Sequence, residues 1–158
     1  MASSRASATA YGSGGGGGTD GGSIGAGTAT RARRLLLATS QADLLLDLHN
    51  LYANARNFGF SAADALRSLP PERIRVIHIA GGAPVRASTG DERWLDDHLH
   101  DVPDPVYALL EIVGESVAHA VDVVLERDGA FPPFGHLLDQ LDRARAALAR
   151  GRTRRMAA

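Results

Sequence analysis

Three short apolar runs constrain what this chain can fold into: ADLLLDL over Ala42–Leu48, RIRVIHIA over Arg73–Ala80 and VDVVLE over Val121–Glu126. Each has the length and the leucine-rich or β-branched content of a buried strand. Helix signals lie between them. SAADALRS over Ser61–Ser68 opens with a capping box of Ser61 and Asp64, and Pro70–Pro71 ends it. Asp104–Pro105 starts a second helix, with Asp as cap and Pro at the first position, running to about His119. Pro132–Pro133 precede a last amphipathic helix over Gly135–Ala149. Gly81–Pro103, rich in Gly, Pro and polar residues, is expected to be a long loop. The order β-α-β-α-β-α argues for an α/β fold with parallel strands and right-handed crossovers. Three such units neither close a barrel, which takes eight strands, nor cover the edges of their own sheet.

Met1–Thr30 is Gly-, Ser-, Ala- and Thr-rich, with Gly14–Gly18 unbroken. Such a segment buries too little apolar surface to offset its ordering entropy, so residues 1–33 are expected to be disordered. A phosphate-binding glycine loop is not indicated, because no apolar strand precedes it and no Gly-Lys-Ser/Thr follows. The expected organisation is a metal-binding domain over 34–150 and a frayed basic tail over 151–158. The net charge of −1 gives no general attraction to nucleic acid, and three tyrosines and one tryptophan form no stacking platform. No run approaches the ~18 apolar residues of a membrane span. Arg5 is followed by Ser, Ala and Gly rather than by the apolar stretch of a secretory signal, so a cytoplasmic location is expected. The chain has no cysteine. Any metal must therefore be held by His, Asp, Glu or Asn.

In a parallel α/β fold, functional groups gather at the C-terminal strand ends. The first apolar run ends in Asp47-Leu48-His49-Asn50, the second carries His78 just before Ala80-Gly81-Gly82, and the third ends in Glu126-Arg127-Asp128. The segment after the second strand adds Asp96-Asp97-His98-Leu99-His100. Each has a plainer explanation on its own. His78 reads as a core histidine, Glu126 as a rim salt bridge and Asp96-x-His98 as a solvated turn. Asp47, set in an apolar run, needs a partner that could be a metal, an Arg or a backbone cap. Together they bring carboxylates and imidazoles to one face, a mixture that suits iron, manganese or zinc rather than copper(I).

The blocks LLLDLHNLYANARNFGF, IRVIHIAGG, WLDDHLHDVPDPVYALL and VVLERDGAFPPFGHLLDQLDRARAAL, in that order, resemble the C-terminal half of the multinuclear non-haem iron-dependent oxidative enzymes. The resemblance implies a TIM-type (β/α) barrel of which this chain holds the C-terminal three β/α units, incomplete. It implies two or three iron ions and dioxygen-dependent modification of cysteine-containing or other precursor peptides. A small partner protein often presents the peptide in that family. The metal ligands carried over are Asp47, Asn50, His78, Asp96, His98 and Glu126. His49 falls where the family often has Asn and is expected to support the ligands. Asp128 and Pro132 fit the family pattern in structural roles. The family's earlier strands supply further His and Glu ligands, and no His or Glu precedes Arg31 here. Those ligands would have to come from a homo-oligomer or a complementing chain. Gly82 stands where the family frequently has His. The expected activity is that of a non-haem iron-dependent oxidoreductase. The alternatives are an inactive truncated remnant of that family, or a divalent-metal TIM-barrel isomerase or hydrolase.

Overall fold

The computed structural model describes residues 7–9, 42–86, 88 and 90–158. All three expected strands are present, at β2 (Asp43–Asp47), β3 (Ile74–Ile79) and β6 (Asp122–Leu125). With β1 (Ser7–Thr9) they form a four-stranded sheet in the order β1-β2-β3-β6, in which every pair is parallel. The strand at Ser7–Thr9 departs from the expectation of disorder at those three residues; the rest of the N-terminal segment lies outside the described residues.

The connections bury the sheet from one side. Helix α1 (Leu48–Phe58) follows β2 without a loop, where the sequence reading assigns no element. The Asp47 carboxylate caps it by accepting the Asn50 backbone N–H at 2.8 Å, and Gly59 ends it in the left-handed conformation at φ 69°. Helix α2 (Ala62–Arg67) has the foreseen cap, with the Asp64 N–H donating to Ser61 Oγ at 3.2 Å. Helix α3 (Asp104–Ser116) begins with Asp104 inside its first turn and Pro103 at the cap position, one residue earlier than the sequence reading places it. Helix α4 spans Phe134–Ala157.

Strand alternation divides the sheet's side chains into two sets. Leu44, Leu46, Ile74, Ile77 and Ile79 are buried against Leu51, Leu66, Val106, Leu110 and Val113 of the helices, with Val123 and Leu125 packed alongside. The opposite face carries Leu45 and Val76, both half-buried, and Val124, which is exposed. At the C-terminal end of that same face stand Asp47 and His78, which are register partners across β2 and β3.

Two expectations are corrected. Gly81–Pro103 is not a loop: β4 (Gly81–Arg86) and β5 (Glu92–His100) form an antiparallel hairpin. Its alternation is hidden because neither strand pairs with the main sheet, and because the register breaks between Gly81 and Ala83. The segment after Gly151 is not a frayed tail, since α4 runs through Ala157. Its arginines find partners on α3: Arg150 Nε reaches Glu111 Oε1 at 2.6 Å, and Arg154 reaches Glu111 and Glu115, each at 2.8 Å.

The Arg150 guanidinium, with Arg154 beyond it, holds the Glu111 carboxyl below the usual glutamate range against the opposing effect of burial. A depressed carboxyl stabilises the fold above its unfolded value, about 4.3, and the contribution fades as pH falls through the lower folded value. Urea denaturation measured from pH 7 down to 3 is therefore expected to show a shallower acid loss for Glu111→Gln than for the native chain. Parallel curves would mean that the cluster, whose arginines are half-exposed, contributes nothing measurable. Among the described residues, no helix is long and apolar enough to cross a membrane.

Candidate metal centre

Four elements deliver the site. Asp47 ends β2 and His78 lies near the end of β3, so parallel pairing alone sets them side by side. Glu126 follows β6, its backbone N–H extending the ladder to the Ile79 carbonyl at 2.9 Å. Asp96 and His98 come from β5, across the mouth of the sheet. Their placement depends on the register break: Gly81 pairs with His100 and Ala83 with Leu95, so β4 advances two residues while β5 runs back five. The surplus bulges toward the sheet. Within it, His98 adopts φ 56°, a left-handed conformation that costs a non-glycine residue strain and recurs at functional sites. Asp97 braces the bulge by accepting the Leu99 N–H at 3.0 Å and contacting His100 Nδ1 at 3.1 Å.

His98 sits between carboxylates. Its Nε2 lies 3.2 Å from Asp96 Oδ1 and 3.9 Å from Asp47 Oδ2, and its Nδ1 lies 3.2 Å from Glu126 Oε2 and 3.4 Å from Asp128 Oδ2. His78 Nδ1 meets the other Glu126 oxygen at 2.6 Å. Among the described residues, two groups are compact enough to hold a metal ion: Asp47, His98 and Glu126, and His49, Asp96 and His98, the ligand atoms of each lying within 4.8 Å of one another.

Five of the six expected ligands, Asp47, His78, Asp96, His98 and Glu126, are thus linked through direct contacts or one shared neighbour. Asn50 joins them differently. Its amide Nδ2 donates to Asp96 Oδ2 at 2.8 Å, while its Oδ1 accepts from Asn54 at 2.8 Å. His49, fully buried, contacts the other Asp96 oxygen through Nδ1. Asp96 is therefore gripped on both oxygens from one turn of α1.

Electrostatics separate the two aspartates. Burial pushes the Asp47 carboxyl above its ordinary range, the Asn50 N–H pulls the other way, and the nearby Asp96 charge adds to the rise. Burial also acts on Asp96, but hydrogen bonds from His49 and Asn50 outweigh it and hold that carboxyl below the ordinary range. A buried acidic group with raised affinity for protons, beside a second carboxylate held ionised, is a donor set that gains from a cation. The donors are oxygen and imidazole nitrogen only, which fits a divalent first-row metal such as iron.

Sequence reading passed over the residues that hold this hairpin in place. Asn57 of α1 acts as a surrogate strand for β5: its amide donates to the Trp94 carbonyl at 2.9 Å and accepts the Trp94 N–H at 2.7 Å. The Trp94 ring is enclosed by the Arg56 guanidinium 4.7 Å above it and the Tyr52 ring 5.3 Å away, edge on. Arg127, just after Glu126, shapes the following loop by donating to the Gly129 carbonyl at 2.8 Å and the Ala130 carbonyl at 2.6 Å. The spacing of Asn50, Asn54 and Asn57 on one helix face was the available signal.

Residues 32–149, which contain every group above, match the profile of the family described as RiPP precursor modification enzyme MbnB/TglH/ChrH. The chain belongs to this family. Its membership bears out the resemblance to the multinuclear non-haem iron-dependent oxidative enzymes. Among curated relatives, a UPF0276 protein of Caulobacter vibrioides is 41% identical over 115 residues, which are 73% of this chain and 39% of that protein. A UPF0276 protein of Bordetella bronchiseptica is 40% identical over 116 residues, 73% of this chain and 40% of the relative. One from Shewanella oneidensis is 35% identical over 119 residues, covering 75% and 40%. The chain thus spans about two fifths of the length of these relatives.

Proposed function

We propose that this family member carries part of the iron centre of an oxidative enzyme acting on precursor peptides. Iron is held by Asp47, His78, Asp96, His98 and Glu126, with Asn50 bound to Asp96 at the cluster's edge. The observation that carries this reading is His98, held in a strained backbone conformation with Asp47, Asp96 and Glu126 about its ring. A surface ion pair has no need of such strain, whereas a metal ligand aimed from a bulge does. When bound, iron supplies the redox chemistry that dioxygen-dependent modification of a peptide, such as one containing cysteine, requires.

The chain's own residues do the rest. His49 and Asn50 orient Asp96, Asp47 caps α1 while facing the cluster, and Leu45, Val76 and Val124 lie on the same sheet face. Asp128, exposed at the rim, faces the Nδ1 side of His98 at 3.4 Å. The four parallel strands, covered by helices on one face, are read as an arc of a TIM-type barrel, because all-parallel sheets ordinarily have both faces covered. The metal-binding domain is the segment 34–150, with α4 continuing beyond it. Residues outside this sequence, a complementing chain or a second copy supply further His and Glu ligands, and a small protein presents the peptide. The cytoplasm is the compartment proposed.

The test is metal content, measured by plasma mass spectrometry on anaerobically purified protein. Iron at or above about one per chain is expected, with at least ~10-fold less in a His78→Ala/Asp96→Ala variant. A soluble, folded chain that takes up no iron even after anaerobic reconstitution would overturn this reading.

A further inference from the structure

Two imidazoles flank Asp96, and their surroundings differ. His98 faces the carboxylates. His49 is wholly enclosed, and both of its ring nitrogens are already engaged: Nδ1 with Asp96 Oδ1, and Nε2 with the indole Nε1 of Trp94 at 3.2 Å. An indole N–H can only donate. The His49 Nε2 facing it must therefore be an acceptor without a proton, which leaves the ring proton on Nδ1, pointing at Asp96.

The third approach to the ring is closed as well. A Cβ built on Gly82 would lie 2.6 Å from His49 Cε1 and 2.0 Å from the Leu95 carbonyl oxygen, so only glycine lets β4 pass across the ring edge between its two nitrogens. Trp94 itself is fixed by Asn57 at its backbone and by Arg56 and Tyr52 at its ring.

We propose that Trp94 and His49 form a hydrogen-bond relay that positions Asp96, so that His49 is a positioning residue and not a metal ligand. This rests on the metal-centre reading of Asp96, but the state of His49 does not depend on a metal being present. Trp94 and Asp96 together set the tautomer of His49: the indole N–H needs an acceptor at Nε2 and the carboxylate needs a donor at Nδ1. His49 in turn donates to one oxygen of Asp96 while Asn50 donates to the other, leaving the carboxylate oriented toward His98. Of the two compact groups, the one that includes His49 is then closed to a metal on that side, and the group of Asp47, His98 and Glu126 remains open.

The experiment reads the imidazole tautomers of the metal-free, 15N-labelled protein by long-range proton–nitrogen correlation, with His49 assigned by its loss in His49→Asn. The native chain is expected to show His49 protonated on Nδ1 and unprotonated on Nε2. Trp94→Phe, which keeps a ring between Arg56 and Tyr52 but removes the N–H, is expected to shift the His49 Nε2 resonance toward that of an acceptor without a donor, while Asp96 keeps the proton on Nδ1. The same variant should weaken Co2+ binding about 10-fold or more, the range typical of lost supporting hydrogen bonds around a metal. His49 protonated on Nε2 in the native chain would overturn the relay, and that reading needs no variant to fold. An unchanged Nε2 resonance in Trp94→Phe would overturn it too, as would direct coordination of Co2+ by His49. Nδ1 protonation without any Co2+ uptake by the native chain would uphold the relay and sink the metal-centre reading.

Discussion

Replacing His98 is expected to lower divalent-metal affinity by ~100-fold or more, beyond the roughly 10–100-fold that supporting partners are worth. The ring stands within 4 Å of Asp47, Asp96, Glu126 and Asp128, so no other single side chain described touches as many members of the cluster. The replacement chosen should also reveal what the backbone stores. At φ 56°, alanine keeps the left-handed strain of roughly 1–2 kcal/mol, whereas glycine removes it at a smaller cost in unfolded-state entropy. His98→Gly should therefore be more stable than His98→Ala by up to about 1 kcal/mol, with metal binding equally lost in both. Titration with Co2+ against a competing chelator reads the first effect, and urea denaturation reads the second. Undiminished affinity would remove His98 from the site. An alanine variant as stable as the glycine variant would remove the strain argument.

Gly151→Ala is expected to be among the most damaging small substitutions, costing about 1–3 kcal/mol. A Cβ at Gly151 would sit 2.0 Å from the Glu111 carbonyl oxygen and 2.9 Å from Gly114 Cα, and one at Gly114 would sit 2.5 Å from the Leu148 carbonyl oxygen. Backbone meets backbone here, so no side chain can swing aside and α3 must separate from α4. The separation would also pull Arg150 and Arg154 from Glu111. Gly135→Ala, in the first turn of the same helix with nothing within 4 Å, supplies the control. It should be neutral or stabilise by up to about 1 kcal/mol through helix propensity. Equal urea midpoints for the two variants would mean that α4 does not dock through Gly151.

The contrast between these glycines bears on what a one-dimensional reading can reach. Ser61 and Asp64 revealed a helix start because a capping box is closed within four residues. The runs at Leu44–Leu46, Ile74–Ile79 and Val123–Leu125 revealed strands because burial of one face imprints a local pattern. The parallel order followed from the helices between them, and with it the adjacency of Asp47, His78 and Glu126 at one end of the sheet. Arg154, after Gly151, was misread as part of a frayed tail because its partner Glu115 is 39 residues away. The hairpin was misread as a loop because GGAPVR has no strand pattern of its own. It is held by pairing with β5, which Asn57 in turn anchors to α1.

Sequence by itself therefore determined the residue types of the site, the parallel strands that carry three of them, and family membership. The tertiary structure decided how Asp96 and His98 reach those three, through a register break that no local preference encodes. It also decided what surrounds each imidazole. His49 touches one carboxylate, Asp96, and meets the Trp94 indole N–H, 45 residues along the chain, whereas His98 has carboxylates at both of its ring nitrogens. A hydrogen bond between distant residues depends on where the folded chain places them, so it leaves no spacing in the sequence to be read.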